Sequence, residues 1–209
     1  MSTMPQISTT LAYVSAAGND YMYYLAKHSI TLNILFFIPK VVDQISKNLL
    51  RIQELGVKKI VVGDLPPLDC IPLITNSSSF TQCNAIIDIF VLFHNVLLTN
   101  SVTKLNKEQR DQVLILDLHN SFKSVIKNSS NYNIQNPLTP CCVGVSGEYN
   151  CGSVVDNGEK KYKVCDEPKS AFYWDVVHPT QAGWKAVFNE LQRNSALQVF
   201  YETNQHTSY

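Results

Sequence analysis

Two residues in the stretch 172–183, FYWDVVHPTQAG, have the types and the spacing for proton-transfer chemistry: Asp175 and, three positions later, His178. A carboxylate this close to an imidazole can bond one ring nitrogen and turn the other toward a nucleophile, which is how a general base is oriented. The same spacing also occurs in ordinary exposed turns, so the neighbouring residues must decide. Pro179 disfavours helical backbone at His178, and Thr180 stands where it can cap a helix. Behind it, Trp184, Val187, Phe188 and Leu191 recur at i, i+3, i+4 and i+7, which predicts a helix with one apolar face. Burial of that face would hold His178 at the rim of a core.

The elements that would position this pair follow from the apolar pattern of the remaining chain. Residues 11–15 form a short β-prone run ending in Ala16-Ala17-Gly18-Asn19-Asp20, and a helix is expected to start in the tyrosine-rich stretch 21–26. The apolar run 30–38 suits either helix or strand. After Pro39, Val42, Ile45, Leu49 and Ile52 recur at helical spacing, and Gly56 stands where a left-handed residue ends a helix. Residues 59–63, KIVVG, have the composition of a buried strand, with a turn signal at Pro66-Pro67. A second long helix is expected over 81–105 with Ile86, Ile89, Phe90, Phe93 and Leu97 facing inward. A third strand at 113–118 and a short helix at 121–126 follow, and 127–169 reads as loop. Alternating strands and helices predict a parallel α/β architecture with its site beyond the carboxyl ends of the strands. Asn19, the segment 66–72 and His178 are then expected on one rim. No repeat or linker divides the chain, so 1–209 reads as a single domain.

A length of 209 residues suffices for one substantial core. Seventeen basic and seventeen acidic residues cancel, which gives no electrostatic reason to expect nucleic acid or an anionic membrane as partner. The apolar run 34–38 is far too short to span a bilayer, and residues 1–14 show no signal peptide. Six cysteines, Cys70, Cys83, Cys141, Cys142, Cys151 and Cys165, nevertheless favour disulfides in an oxidising compartment. Free thiols in a cytosolic protein are the alternative. Cys70 and Cys83 bracket a short loop and are expected to pair, and the other four to form two bridges of open connectivity. Adjacent Cys141-Cys142 without any Cys-x-x-Cys argues against a zinc module. The sequons at Asn76 and Asn128 suit a secreted glycoprotein. His28, His94, His119 and His206 have no partner pattern and read as surface or packing residues.

Four stretches resemble conserved blocks of the plant GDSL esterase/lipase family, a branch of the SGNH hydrolases. FYWDVVHPTQAGW resembles the block with Asp-x-x-His-Pro-Thr after an aromatic pair. LAYVSAAGNDYMYYL resembles the block with the oxyanion-hole asparagine, VVGDLPPLDCIPLI the Gly-x-x-Pro-Pro-Leu-Gly-Cys-x-Pro segment, and PLTPCCVGVSGEYNCG the cysteine-rich loop. They keep the family's order across 11–191. The resemblance implies a three-layer α/β/α fold with a parallel sheet, His178 as base, Asp175 as its orienting partner and Asn19 as oxyanion donor. Ala17 stands where the family has glycine, which restricts the backbone there. The Gly-Asp-Ser-Leu block with the nucleophile and the block with an oxyanion glycine have no counterpart. The chain thus resembles the C-terminal portion of the domain, a partial SGNH domain lacking its first strands, with the signal peptide expected in the same missing portion. Such a domain would leave a central strand as an open, aggregation-prone edge. No substitute serine is evident: Ser15 lies at a strand end, and Ser146 and Ser170 show no exposed elbow.

The reading is a GDSL-type carboxylic ester hydrolase, secreted, acting on a lipid or secondary-metabolite ester by Ser–His–Asp chemistry without metal or cofactor. The nucleophile is absent from this chain, which alone is expected to be inactive. Acyl transfer to an alcohol is the same chemistry with another acceptor. The alternative is a non-catalytic remnant that binds a ligand or a partner.

Overall fold

The computed structural model describes residues 10–28, 32–108 and 112–194; His206 and most of the stretch 1–14 lie outside them. In chain order the first elements are β1 (Leu11–Val14), α1 (Gly18–His28), α2 (Ile34–Glu54), β2 (Lys59–Gly63) and α3 (Pro72–Thr75). They are followed by α4 (Ala85–Glu108), β3 (Val113–Leu116), α5 (Leu118–Lys127), β4 (Cys142–Gly144), β5 (Tyr162–Val164) and α6 (Gln181–Arg193). The chain groups into two compact units, one from 1–66 with 86–119 and one from 67–85 with 120–209.

The first unit is built on a parallel sheet of order β1-β2-β3. Leu11 lies opposite Lys59 and Val14 opposite Val62, and Ile60 lies opposite Val113 and Gly63 opposite Leu116. The middle strand is the KIVVG run, whose Ile60, Val61 and Val62 are all buried. A continuous β-branched run of this kind suits a strand covered on both faces. The ambiguous run before Pro39 resolves as helix: Ile34, Ile38, Val42, Ile45 and Leu49 form one buried stripe of α2. Gly56, at φ +91°, ends it as expected, its N–H donating to the Gln53 carbonyl at 2.8 Å. The parallel α/β class anticipated from the sequence is the one observed.

The face of α4 differs from expectation. Its buried residues are Ile87, Phe90, Val91, His94, Leu98, Val102 and Leu105, whereas Ile86 and Ile89 are exposed. The helix is apolar nearly all round, so hydrophobicity cannot choose its inner side. Specific polar contacts do. Asn95 accepts from Leu65 N at 2.8 Å and donates to Leu65 O at 3.0 Å, and the Tyr21 hydroxyl lies 2.6 Å from His94 Nδ1. By length and composition α4 could cross a membrane, but these contacts tie it into the first unit. His119 also has a partner that its sequence context did not show, Asp88 Oδ1 at 3.1 Å from Nε2. The last helix of this part starts earlier than expected because Asp64 Oδ1 accepts from Leu118 N at 2.8 Å and His119 N at 2.9 Å. Burial raises the Asp64 pKa to about 6 against the pull of those bonds, with Asp117 adding to the rise.

The second unit contains a small sheet inside the stretch read as loop, β4 pairing antiparallel with β5 so that Cys142 faces Val164. All three disulfides lie here: Cys70–Cys83, as expected, and Cys141–Cys165 and Cys142–Cys151, which settle the open connectivity. The inner face of α6 is Gly183, Ala186, Val187, Glu190 and Leu191. Trp184 and Phe188 are half-exposed on its flank, 47% and 49%, which corrects the expected apolar face. Glu190 turns inward because it is fully engaged, accepting from Ser124 Oγ and Tyr132 OH at 2.7 Å and from Arg193 at 2.6 Å. Burial alone would raise its pKa, but these donors bring it down to about 2.

Burial lowers the His94 pKa from 6.5 to about 4, so at neutral pH the ring is uncharged, and Nδ1 shares one hydrogen bond with the Tyr21 hydroxyl. A depressed pKa stabilises the fold above the unfolded value and loses that contribution as pH falls toward the folded one. We therefore expect urea stability to fall between pH 6.5 and about 4, by up to roughly 3 kcal/mol. His94→Gln should remove this component of the slope, and an unchanged slope would exclude His94 as its source.

Candidate active site

Residues 171–180 form a tight hairpin. Tyr173 and Pro179 make an antiparallel bridge, Trp174 N donates to His178 O at 2.7 Å, and Thr180 N donates to Phe172 O at 2.8 Å. Asp175 and His178 occupy its tip. Phe172 and Tyr173 are buried at its base, the Phe172 ring edge-on to Phe122 at 5.6 Å between centroids, and Phe122 edge-on to Trp184 at 5.3 Å.

Thr180 is the expected N-cap, with extended backbone and its hydroxyl accepting from Gly183 N at 2.9 Å. The same hydroxyl donates to Ala171 O at 2.6 Å, a second role that the capping signature does not reveal. Gly183 is required at the helix start because a Cβ there would lie 2.3 Å from Phe172 O. The hairpin and α6 thus meet backbone to backbone.

At the tip, Asp175 Oδ1 accepts from Val177 N at 2.8 Å and His178 N at 2.7 Å. The His178 ring lies with Nδ1 2.9 Å from Asp175 Oδ2 and 3.1 Å from Oδ1. Partial burial would raise the Asp175 pKa, but the bonds from the His178 backbone, its ring and Val177 outweigh it, and the net shift is downward. The carboxylate therefore stays charged at neutral pH and accepts the Nδ1 proton, which leaves Nε2 as the ring's basic nitrogen. The ring is 75% exposed. Its Nε2 has no hydrogen-bond partner among the described residues.

Asn19 lies in the first turn of α1, in the first unit, with its side chain exposed. Ala17, where flexibility was expected to matter, adopts φ +82° and is buried, and its carbonyl accepts the Tyr21 N–H that opens the helix. A groove of about 970 Å³ in the second unit runs past Trp174, Pro179, Gln181, Lys185 and Asn189, and His178 is not among its walls.

A family model described as GDSL-like Lipase/Acylhydrolase matches residues 2–191. The chain belongs to this family. Three Arabidopsis thaliana proteins, each named a GDSL esterase/lipase, are 47%, 42% and 39% identical to it over 195, 193 and 186 residues. The alignments cover 91%, 90% and 87% of this chain and 54%, 54% and 56% of those relatives. The chain spans about half the length of the relatives it matches.

The close junction at Gly183 gives a direct test of how the family's His-Pro-Thr segment is seated. Gly183→Ala should cost about 2 kcal/mol or more, because the atom it meets is backbone and cannot turn aside. Unfolding by urea, with the His178 ring resonances followed in parallel, measures both effects. A variant as stable as the parent would show that α6 can pull back from Phe172 freely.

Proposed function

We propose that this chain supplies the general base, its orienting carboxylate and an oxyanion donor of a Ser–His–Asp carboxylic ester hydrolase. The observation that carries the reading is the bond from His178 Nδ1 to Asp175, on a family segment, with Nε2 left outward and basic. In the reaction a serine hydroxyl attacks the ester carbonyl while Nε2 takes its proton. The resulting imidazolium is stabilised by Asp175 and returns the proton to the departing alcohol. Water then releases the acid by the same steps in reverse order of partners. An alcohol in place of that water would make the protein an acyltransferase.

Asn19 is the donor proposed for the oxyanion. Its carboxamide has no hydrogen-bond partner among the described residues, so both N–H groups are available. The serine is not assigned to any residue of this chain, since no serine among the described residues is bonded to His178. The substrate class proposed is a lipid or small secondary-metabolite ester. Three disulfides support an extracellular setting, and the sequon residues Asn76 and Asn128 are both exposed, as glycan attachment requires.

Two measurements test this reading. The 209-residue chain, incubated with a short-chain nitrophenyl ester and with a serine-directed fluorophosphonate, should show neither turnover nor stoichiometric labelling. A single labelled serine whose modification stops turnover would place the nucleophile inside this chain. In a polypeptide that carries this sequence together with a nucleophilic serine, His178→Ala and Asp175→Asn should each lower kcat by about 10⁴. Retention of most of the rate by His178→Ala would remove it as the base and favour a binding role for this unit.

A further inference from the structure

We infer that Cys141 and Cys142 are positioning residues for the Asp175–His178 pair, acting through their own backbone N–H groups. This rests on the ester-hydrolase reading for its purpose, but its test does not depend on turnover. On the arm of the hairpin that leads to the tip, the carbonyls of Tyr173 and Trp174 both take donors from outside the hairpin. Tyr173 O accepts from Cys141 N at 3.0 Å and Trp174 O from Cys142 N at 2.6 Å. Pro140 and Tyr173 also form a parallel bridge. Residues 140–142, which lead into β4, therefore lie along the hairpin immediately before Asp175.

A segment this short does not hold itself in place. Cys141 lies in a bend and Cys142 opens β4, and the two adjacent cysteines are held by separate partners. Cys141 is bridged to Cys165 and Cys142 to Cys151. Cys165 N donates back to Cys141 O at 2.6 Å, closing the arrangement. The segment is thus fastened by two covalent bridges to different partners and by backbone hydrogen bonds. On the other side of the tip, Leu73 N donates to Val176 O at 2.8 Å, from the loop that Cys70–Cys83 closes. The Asp175 carboxylate must keep two backbone amides and one ring nitrogen in register at once. Movement of Trp174 by a fraction of a bond length would break that register.

A purely structural role for the bridges would lower the unfolding midpoint and leave the folded tip unchanged. A positioning role changes the tip in the folded protein. Asp175 holds the ring as the Nδ1–H tautomer, whereas an imidazole without that acceptor redistributes toward Nε2–H. The nitrogen-15 shifts of the His178 ring, assigned by their loss in His178→Ala, report the tautomer ratio in the 209-residue chain. We expect Nδ1–H to dominate in the parent. In Cys142→Ala/Cys151→Ala and in Cys141→Ala/Cys165→Ala the Nδ1–H to Nε2–H ratio should fall about ten-fold, the size of one lost hydrogen bond. Should a variant fail to fold, the same ratio is read in the parent during titration with dithiothreitol, at the stage where one of these bridges is open and the methyl spectrum is still native. An unchanged ratio overturns the inference. In a polypeptide that also carries the nucleophilic serine, the same variants should lower kcat and spare KM. A tautomer shift in the disulfide variants, together with no esterase activity in the serine-bearing polypeptide, would leave the positioning intact and refute the ester-hydrolase reading instead.

Discussion

The hydroxyl of Thr180 connects everything that places His178. It accepts from Gly183 N and donates to Ala171 O, so one oxygen starts α6 and closes the base of the hairpin. A buried hydroxyl used in both senses leaves neither the orphan N–H of a helix start nor the carbonyl of an irregular segment unpaired. Gly183 lets the two backbones touch, and Phe172 and Tyr173 can then enter the core side by side. With the base of the hairpin fixed to a helix in this manner, its tip has few conformations left. Asp175 selects among them through the amides of Val177 and His178.

The three strands of the parallel sheet were legible because their signal is local, whereas β4 and β5 fell in a stretch read as loop. KIVVG between a glycine turn and a proline pair can be little other than a covered strand, and it is the middle one. The hairpin tip was legible for the same reason, since proline, threonine and the preceding acid all act on their own neighbours. Three things were not. The inner side of α4 depends on Asn95 and His94 meeting Leu65 and Tyr21, residues distant in sequence. The flank position of Trp184 depends on Gly183 and Ala186 being small enough for close approach, which an apolar-face count scores against them. The pairing of β4 with β5 depends on which cysteines join, and four cysteines allow several answers.

A few inward-facing polar groups settle choices in this architecture that the apolar pattern leaves open. His94 is held neutral by its surroundings, Glu190 is held charged by three donors, and Asp64 sits between, its burial opposed by two backbone N–H groups. Each makes a contact that an apolar residue could not: His94 and Glu190 each turn one side of their own helix inward, and Asp64 binds the first amides of α5. Such groups add little net stability but discriminate strongly between alternative packings, because any other arrangement leaves them unpaired.

The two bridges from adjacent cysteines also partition the chain by how freely it can vary. Between β4 and β5 the polypeptide runs out to an exposed turn at Asp156-Asn157-Gly158, with Gly158 at φ +82°. That excursion lies between Cys151 and Cys165, the far ends of the two bridges, so a length change in it leaves both bonded to residues 141 and 142. A reporter or affinity sequence inserted at 156–158 would therefore lengthen the chain without loosening the hairpin tip.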